Sequence, residues 1–286
     1  MEGSGSKTMK SEKSEIPVNI IKPLTGWQPI DFAELKEYRD LAFFLVARDI
    51  KVMYAQTVLG FIWAILQPSI QIVIFSIIFG KVAKVPSEGV PYTLFATVSI
   101  IPWTYISVAL SQSSQSLVSN QNMLGKIYFP RLLFPLAPVF SKLLSFLISI
   151  VLLVAVMAYY QVAPTWNLLF LPVLVLMMMS IPAGLGMWLS ALAIRYRDVK
   201  FAMQYIIQML MYTAPIVYSA TSIPEQYRFI YSLNPIVGVI EGFRACLLGT
   251  DIPWLYILPG MLTAVIMLVS GALYFNRMER VFVDVI

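Results

Sequence analysis

Glu241 and Arg244 stand three residues apart in an otherwise apolar stretch, a spacing that lets the two side chains pair on one helical face. Charge in apolar surroundings is costly and points to function. Two readings stand: a self-neutralised pair that fixes local structure, or a polar gate. Ser107, Ser111 and Ser114 share a second helical face, within and just before the run Ser111-Gln112-Ser113-Ser114-Gln115-Ser116. Small hydroxylated side chains either glue helices together or form a hydrated wall that trades hydrogen bonds with a hydroxyl-rich ligand. Gln204, Gln208 and Tyr212 recur at i, i+4 and i+8, with Tyr205 beside them. Two glutamines on one face argue against lipid exposure. Trp63, Trp103, Tyr105, Trp188, Tyr218, Tyr227 and Tyr231 mostly suit aromatic belts at membrane interfaces, and a minority suits stacking on sugar rings.

Other chemistry is excluded by what the chain lacks. It has no histidine and a single cysteine, Cys246, which removes imidazole catalysis, an internal disulfide and a cysteine metal cluster. No metal site is expected. Gly125-Lys126 lacks the upstream glycine of a G-x-x-x-x-G-K-[ST] loop, so any ATP must be hydrolysed by another chain. No base–nucleophile constellation is visible, and an enzyme is the weakest reading.

The elements that position these groups follow from composition. Of 286 residues, 59% are hydrophobic and 12% charged, with mean hydropathy +0.77. A soluble domain is about 45–50% apolar and about 25% charged, so this is an all-α integral membrane protein. Six stretches reach the roughly 20 apolar residues of a membrane helix: 58–79, 92–110, 132–159, 168–194, 201–218 and 254–274. Pro135, Pro138 and Lys142 near the start of the third predict a kinked or interfacial beginning. No Asp or Glu falls inside any of them, which disfavours proton- or sodium-coupled transport. Sixteen of the 20 Lys and Arg fall on one side of this arrangement, Lys142 counted with the second-to-third loop. That bias predicts cytoplasmic termini.

Residues 1–30 read as a flexible N-terminal segment without a signal peptide, with 1–8 a cloning remnant and Met9 the natural start. Residues 31–57 read as an amphipathic helix in the interface plane. Glu37, Asp40, Arg48 and Lys51 form its charged stripe, interrupted by Phe44. It is either a membrane-surface anchor or a docking surface for a cytoplasmic partner. Residues 222–250 hold two stretches too short to span, broken at Asn234-Pro235. They predict a re-entrant hairpin, either buried in protein or lining a wet cavity, and so a candidate pore element.

Several motifs occur in a fixed order: Glu37-Tyr38-Arg39-Asp40-Leu41, Arg48-Asp49-Ile50-Lys51, Gln56-Thr57-Val58-Leu59-Gly60 with Trp63, and Pro102-Trp103. Lys126-Ile127-Tyr128-Phe129-Pro130-Arg131, Arg195-Tyr196-Arg197-Asp198-Val199 and Ala214-Pro215-Ile216-Val217-Tyr218 follow, then Leu233-Asn234-Pro235-Ile236 and Glu241-Gly242-Phe243-Arg244. In order and spacing the chain resembles the membrane subunit of polysaccharide-export ABC transporters, in the O-antigen/lipopolysaccharide branch. Met53-Tyr54-Ala55 departs from the more basic run expected there.

The resemblance implies a homodimer above two cytoplasmic ATP-binding subunits, which hold the ATP and magnesium, in the bacterial inner membrane. It makes 31–57 the interface helix against the ATPase, 120–129 a coupling helix and 195–200 a second contact. Glu37, Asp40, Arg48, Lys51, Asn120, Asn122, Lys126, Arg195 and Asp198 are then the contact residues. Residues 58–286 form the permease domain, with a substrate channel of Ser107, Ser111, Ser114, Gln204, Gln208, Tyr212, Trp63 and Trp103. Tyr227, Tyr231, Asn234, Pro235, Glu241 and Arg244 form a re-entrant gate. The implied cargo is a lipid-linked glycan carried from cytoplasm to periplasm. The alternatives are a permease for a small drug or lipid, and a membrane scaffold that transports nothing.

Overall fold

The computed structural model describes residues 36–279 except 56, 58, 125–129, 164 and 197. Lys126, the expected N-terminal segment 1–30 and residues 125–129 of the expected coupling helix lie outside the described residues, and the described part of that helix includes one helical turn, Gln121–Leu124. Among the described residues the secondary structure is helical, without strands. In chain order the described α-helices of eight residues or more are α1 (Arg39–Tyr54), α2 (Trp63–Phe75), α3 (Tyr92–Ser119), α4 (Leu133–Tyr159), α5 (Leu171–Arg195), α6 (Val199–Thr213), α7 (Glu225–Ser232), α8 (Pro235–Leu248) and α9 (Trp254–Glu279). A turn at Gly60–Ile62 precedes α2, a wider π-type segment, Ser76–Val82, extends it, and Trp166–Phe170 leads into α5.

Among the described residues five segments are long and apolar enough to cross a membrane: Gly60–Val82, Tyr92–Ser119, Leu133–Tyr159, Trp166–Arg195 and Trp254–Glu279. The fifth stretch expected to span, 201–218, is not one continuous helix. α6 stops at Thr213, about 22 Å after it begins. The physical reason is Pro215, whose ring disfavours helical geometry at Ala214; Ala214 is extended, with ψ 148°.

α3 is the hub. Its residues from Leu94 to Trp103 are buried without interruption, and it packs against α2, α4, α5, α6 and α8. The polar run 111–116, placed after the second span at 92–110, instead lies inside α3, where three of its four hydroxyls are satisfied. Ser114 and Ser116 donate to the carbonyls of Ser111 (2.9 Å) and Ser113 (2.7 Å), and Ser113 donates to Pro135 O of α4 at 2.6 Å. α5 and α9 cross closely through glycine. A Cβ on Gly184 would come within 2.6 Å of the Met267 backbone, the small-residue packing that membrane helices use to approach each other.

The two ends of the bundle are tied differently. At one end the Arg131 N–H and guanidinium donate to Glu279 at 3.4 and 3.3 Å, which joins the start of α4 to the end of α9. At the other, the Tyr92 hydroxyl donates to Val217 O at 2.8 Å and Asn167 Nδ2 to Thr250 O at 2.9 Å. Segment 199–217 therefore runs from the end where α5 finishes to the end where α3 begins.

Candidate functional site: a buried ion pair, an open polar helix and an N-terminal docking end

α7 and α8 form two short helices joined at Leu233-Asn234. The Asn234 side chain accepts the Ile236 N–H at 3.1 Å, Pro235 occupies the first turn where a missing N–H does no harm, and Gly249 closes α8 at φ +75°. All of α8 except Leu248 is buried, against α3, α5 and α9, whereas α7 buries only Ser232.

The ion pair lies inside this packing. Arg244 Nη1 reaches Glu241 Oε1 at 2.7 Å, Nε donates to Ser99 Oγ at 3.0 Å, and the remaining donors meet the carbonyls of Pro215 (2.5 Å), Ile216 (3.3 Å) and Tyr218 (3.2 Å). The guanidinium carbon sits 3.7 Å from the centre of the Phe95 ring. Glu241 also accepts the Ala220 N–H at 3.1 Å. Burial pushes the Glu241 carboxyl up and the Arg244 guanidinium down, and each opposes the other's shift by its charge. The pair is buried, so within one chain it faces no open path; it pins the irregular segment 214–220 and α3 to α8. Tyr231 shares a 3.0 Å hydrogen bond with Tyr218, and burial followed by that bond drives its hydroxyl well above the ordinary tyrosine range. Tyr227 is exposed on α7.

The residues expected to line a channel divide sharply. α6 buries only Met203; Gln204 and Gln208 are exposed, as are Tyr205 (68%) and Tyr212 (69%). Trp63 is half-exposed at the start of α2, whereas Trp103 is in the core. Ser107 and Ser111 are half-buried and Ser114 fully buried, with the Ser107 and Ser114 hydroxyls turned back onto α3 carbonyls.

At the opposite end, α1 lays Leu45 into a cluster with Leu117, Leu133 and Phe134, and leaves Phe43 and Phe44 exposed. Arg48 Nη1 donates to Asn120 Oδ1 at 3.0 Å while its other donors hold Asp49 Oδ1 at 2.8 and 3.1 Å. Two residues expected to meet a partner thus meet each other. Glu37, Asp40, Lys51, Asn122, Arg195 and Asp198 are exposed. Among the described residues no group of three His, Cys, Asp or Glu could hold a metal ion.

Residues 41–248, from α1 through the ion-pair helix, match the sequence profile described as ABC-2 type transporter. The chain belongs to the ABC-2 type transporter family. It is 27% identical over 248 residues to a Klebsiella pneumoniae protein named O-antigen export system permease protein RfbA, covering 86% of this chain and 95% of that one. A Myxococcus xanthus protein of the same name is 26% identical over 214 residues, 74% of this chain and 82% of that one. The Escherichia coli polysialic acid transport protein KpsM is 24% identical over 255 residues, 82% and 92% of the two chains.

Within this ABC-2 domain, three groups were not singled out from the sequence. Ser99 and Phe95 complete the Arg244 site from a position 145 or more residues away, and Glu88 accepts the Ser219 hydroxyl beside it. No local spacing signals such contacts. Lys142, counted with a loop, lies inside α4 and is buried. A lone basic residue within an apolar run was the available signal.

Proposed function

We propose that this ABC-2 permease is the membrane subunit of an ATP-driven exporter that moves a lipid-linked polysaccharide of O-antigen type from cytoplasm to periplasm. The observation that carries the reading is the open face of α6. Gln204, Gln208 and Tyr212 stand exposed on a helix that buries one residue, in a bundle whose long helices are apolar. A polar face at membrane depth needs a wet cavity or a protein partner. A second copy facing it encloses that cavity and gives a path walled by amide, hydroxyl and aromatic groups. A hydroxyl-rich polymer can slide along such walls by exchanging hydrogen bonds. The names carried by relatives aligned over most of both chains support the same cargo class.

In this reading the chain crosses the bacterial inner membrane six times. The fifth pass is α6 followed by the irregular residues up to Tyr218, and both termini are cytoplasmic. α7 and α8 form the re-entrant pair at the periplasmic end, held by Glu241 and Arg244. Two ATP-binding subunits, carrying ATP and magnesium, dock on the α1 end through Glu37, Asp40, Lys51, Asn122, Arg195 and Asp198. Arg48 and Asn120 stiffen that end from within. Lys126 belongs to the coupling segment between them. Closure of the ATPase dimer moves α1 and this segment against α3 and α4, which opens and resets the path.

Depleting the protein in its native host and locating the lipid-linked glycan tests the proposal. Glycan that accumulates inside the cell and disappears from the surface supports export. Unchanged surface glycan refutes it and favours a permease for a small drug or lipid.

A further inference from the structure

Lys142 is 6% exposed and lies nine residues into α4, about 14 Å along the helix. Among the described residues it has no hydrogen-bond or ion-pair partner. Two cavities meet at its side chain. The smaller, about 150 Å³, is bounded by Tyr54, Gln67, Tyr105 and Ser145. The larger, about 500 Å³, opens between α1, the polar end of α3 and the start of α4; small-molecule sites span about 300–1,000 Å³.

The charge balance of the larger cavity is positive. Its one carboxylate, Asp49, is held by Arg48 and also acts on Lys142 through space, so two cationic side chains share a single negative charge. Around it the side chains of Ser111, Gln112 and Ser119 make no hydrogen bond among the described residues. Val52, Met53, Phe134 and Pro138 supply an apolar wall on the other side. The Lys142 side chain is buried along its length and lines the cavity, and a net positive cavity with several converging donors suits an anion with several oxygens.

We infer that this cavity binds the phosphate or diphosphate group of a membrane lipid, with Lys142 as its charge contact, the α3 polar side chains as further donors and the apolar wall against the first carbons of the lipid chain. Its position on the cytoplasmic side rests on the proposed topology; its chemistry does not.

The full chain, purified in detergent, is titrated with geranylgeranyl diphosphate, geranylgeraniol and inorganic pyrophosphate, and binding is read by native mass spectrometry. The diphosphate lipid binds, the alcohol binds at least about tenfold more weakly, and Lys142→Gln weakens the diphosphate lipid by about tenfold or more, the size of one lost charge-assisted contact. Gln112 is exposed, so Gln112→Glu keeps the fold and weakens the same ligand by repulsion, which preserves the test if Lys142→Gln fails to fold. Displacement by phosphatidylglycerol assigns the phosphate to bulk leaflet lipid, and resistance to it assigns a dedicated polyprenyl carrier. Pyrophosphate binding as tightly as the lipid overturns the lipid assignment. Affinity for the diphosphate lipid unchanged in both variants overturns the site. Binding is read without export, so a chain that exports no glycan yet binds this lipid loses the proposed function and keeps the site.

Discussion

Arg244 gathers a carboxylate, a hydroxyl, three carbonyls and a ring face around one guanidinium. Removing it strands Glu241 in a site that excludes water. Breaking a buried pair from one side costs about 3–5 kcal/mol, so Arg244→Met is expected to lower the thermal unfolding temperature in detergent sharply. Adding Glu241→Gln to that variant should recover part of the loss, because the stranded charge is gone. A fully additive loss in the double variant would show that the two side chains act independently. The i, i+3 pairing was legible in the sequence. Its partners Ser99 and Pro215 were not, because they reach the site only through the packing of α3 and the 214–220 segment against α8. Lys142 was legible as a charge but not as a buried one, since its burial depends on α1 lying along α4.

Helix ends and crossings carry the next set of consequences. The α5–α9 crossing leaves no room for a side chain on Gly184; Gly184→Val is expected to separate the helices and cut the yield of folded, monodisperse protein on size exclusion. An intact, equally stable variant would mean that the crossing is looser than drawn. The exposed end of α1 behaves differently. Glu37→Lys with Asp40→Lys should leave unfolding unchanged, since both side chains are exposed, yet abolish co-purification of the ATP-binding subunit. Retained co-purification would move the docking surface elsewhere. Hydropathy identified the long helices, but it ended the second span too early, at 110. It counts serine and glutamine as polar, whereas in α3 the side chains of Ser114, Gln115 and Ser116 are satisfied by carbonyls one turn back. It also extended the fifth span through Ala214-Pro215, where the proline stops α6.

For the whole molecule, the family was legible in the order of its motifs along nearly the full chain, and the residues matched, 41–248, hold most of them. The channel was legible only as candidate faces, because a path between two copies is not encoded in the contacts of one. Its walls are testable through cysteine, since the native Cys246 is buried and gives little background. Gln208→Cys is expected to react with a membrane-impermeant, hydrophilic maleimide in whole complexes, and Leu147→Cys, exposed on an apolar face of α4, is expected not to. Equal labelling would contradict a wet α6 face. The most direct measurement goes further. A photo-crosslinking phenylalanine analogue replaces Tyr212, an exposed aromatic on that face, in the native host during active export. The account predicts adducts that carry the glycan ladder; adducts with phospholipid alone, while export continues, would contradict a polysaccharide path along α6.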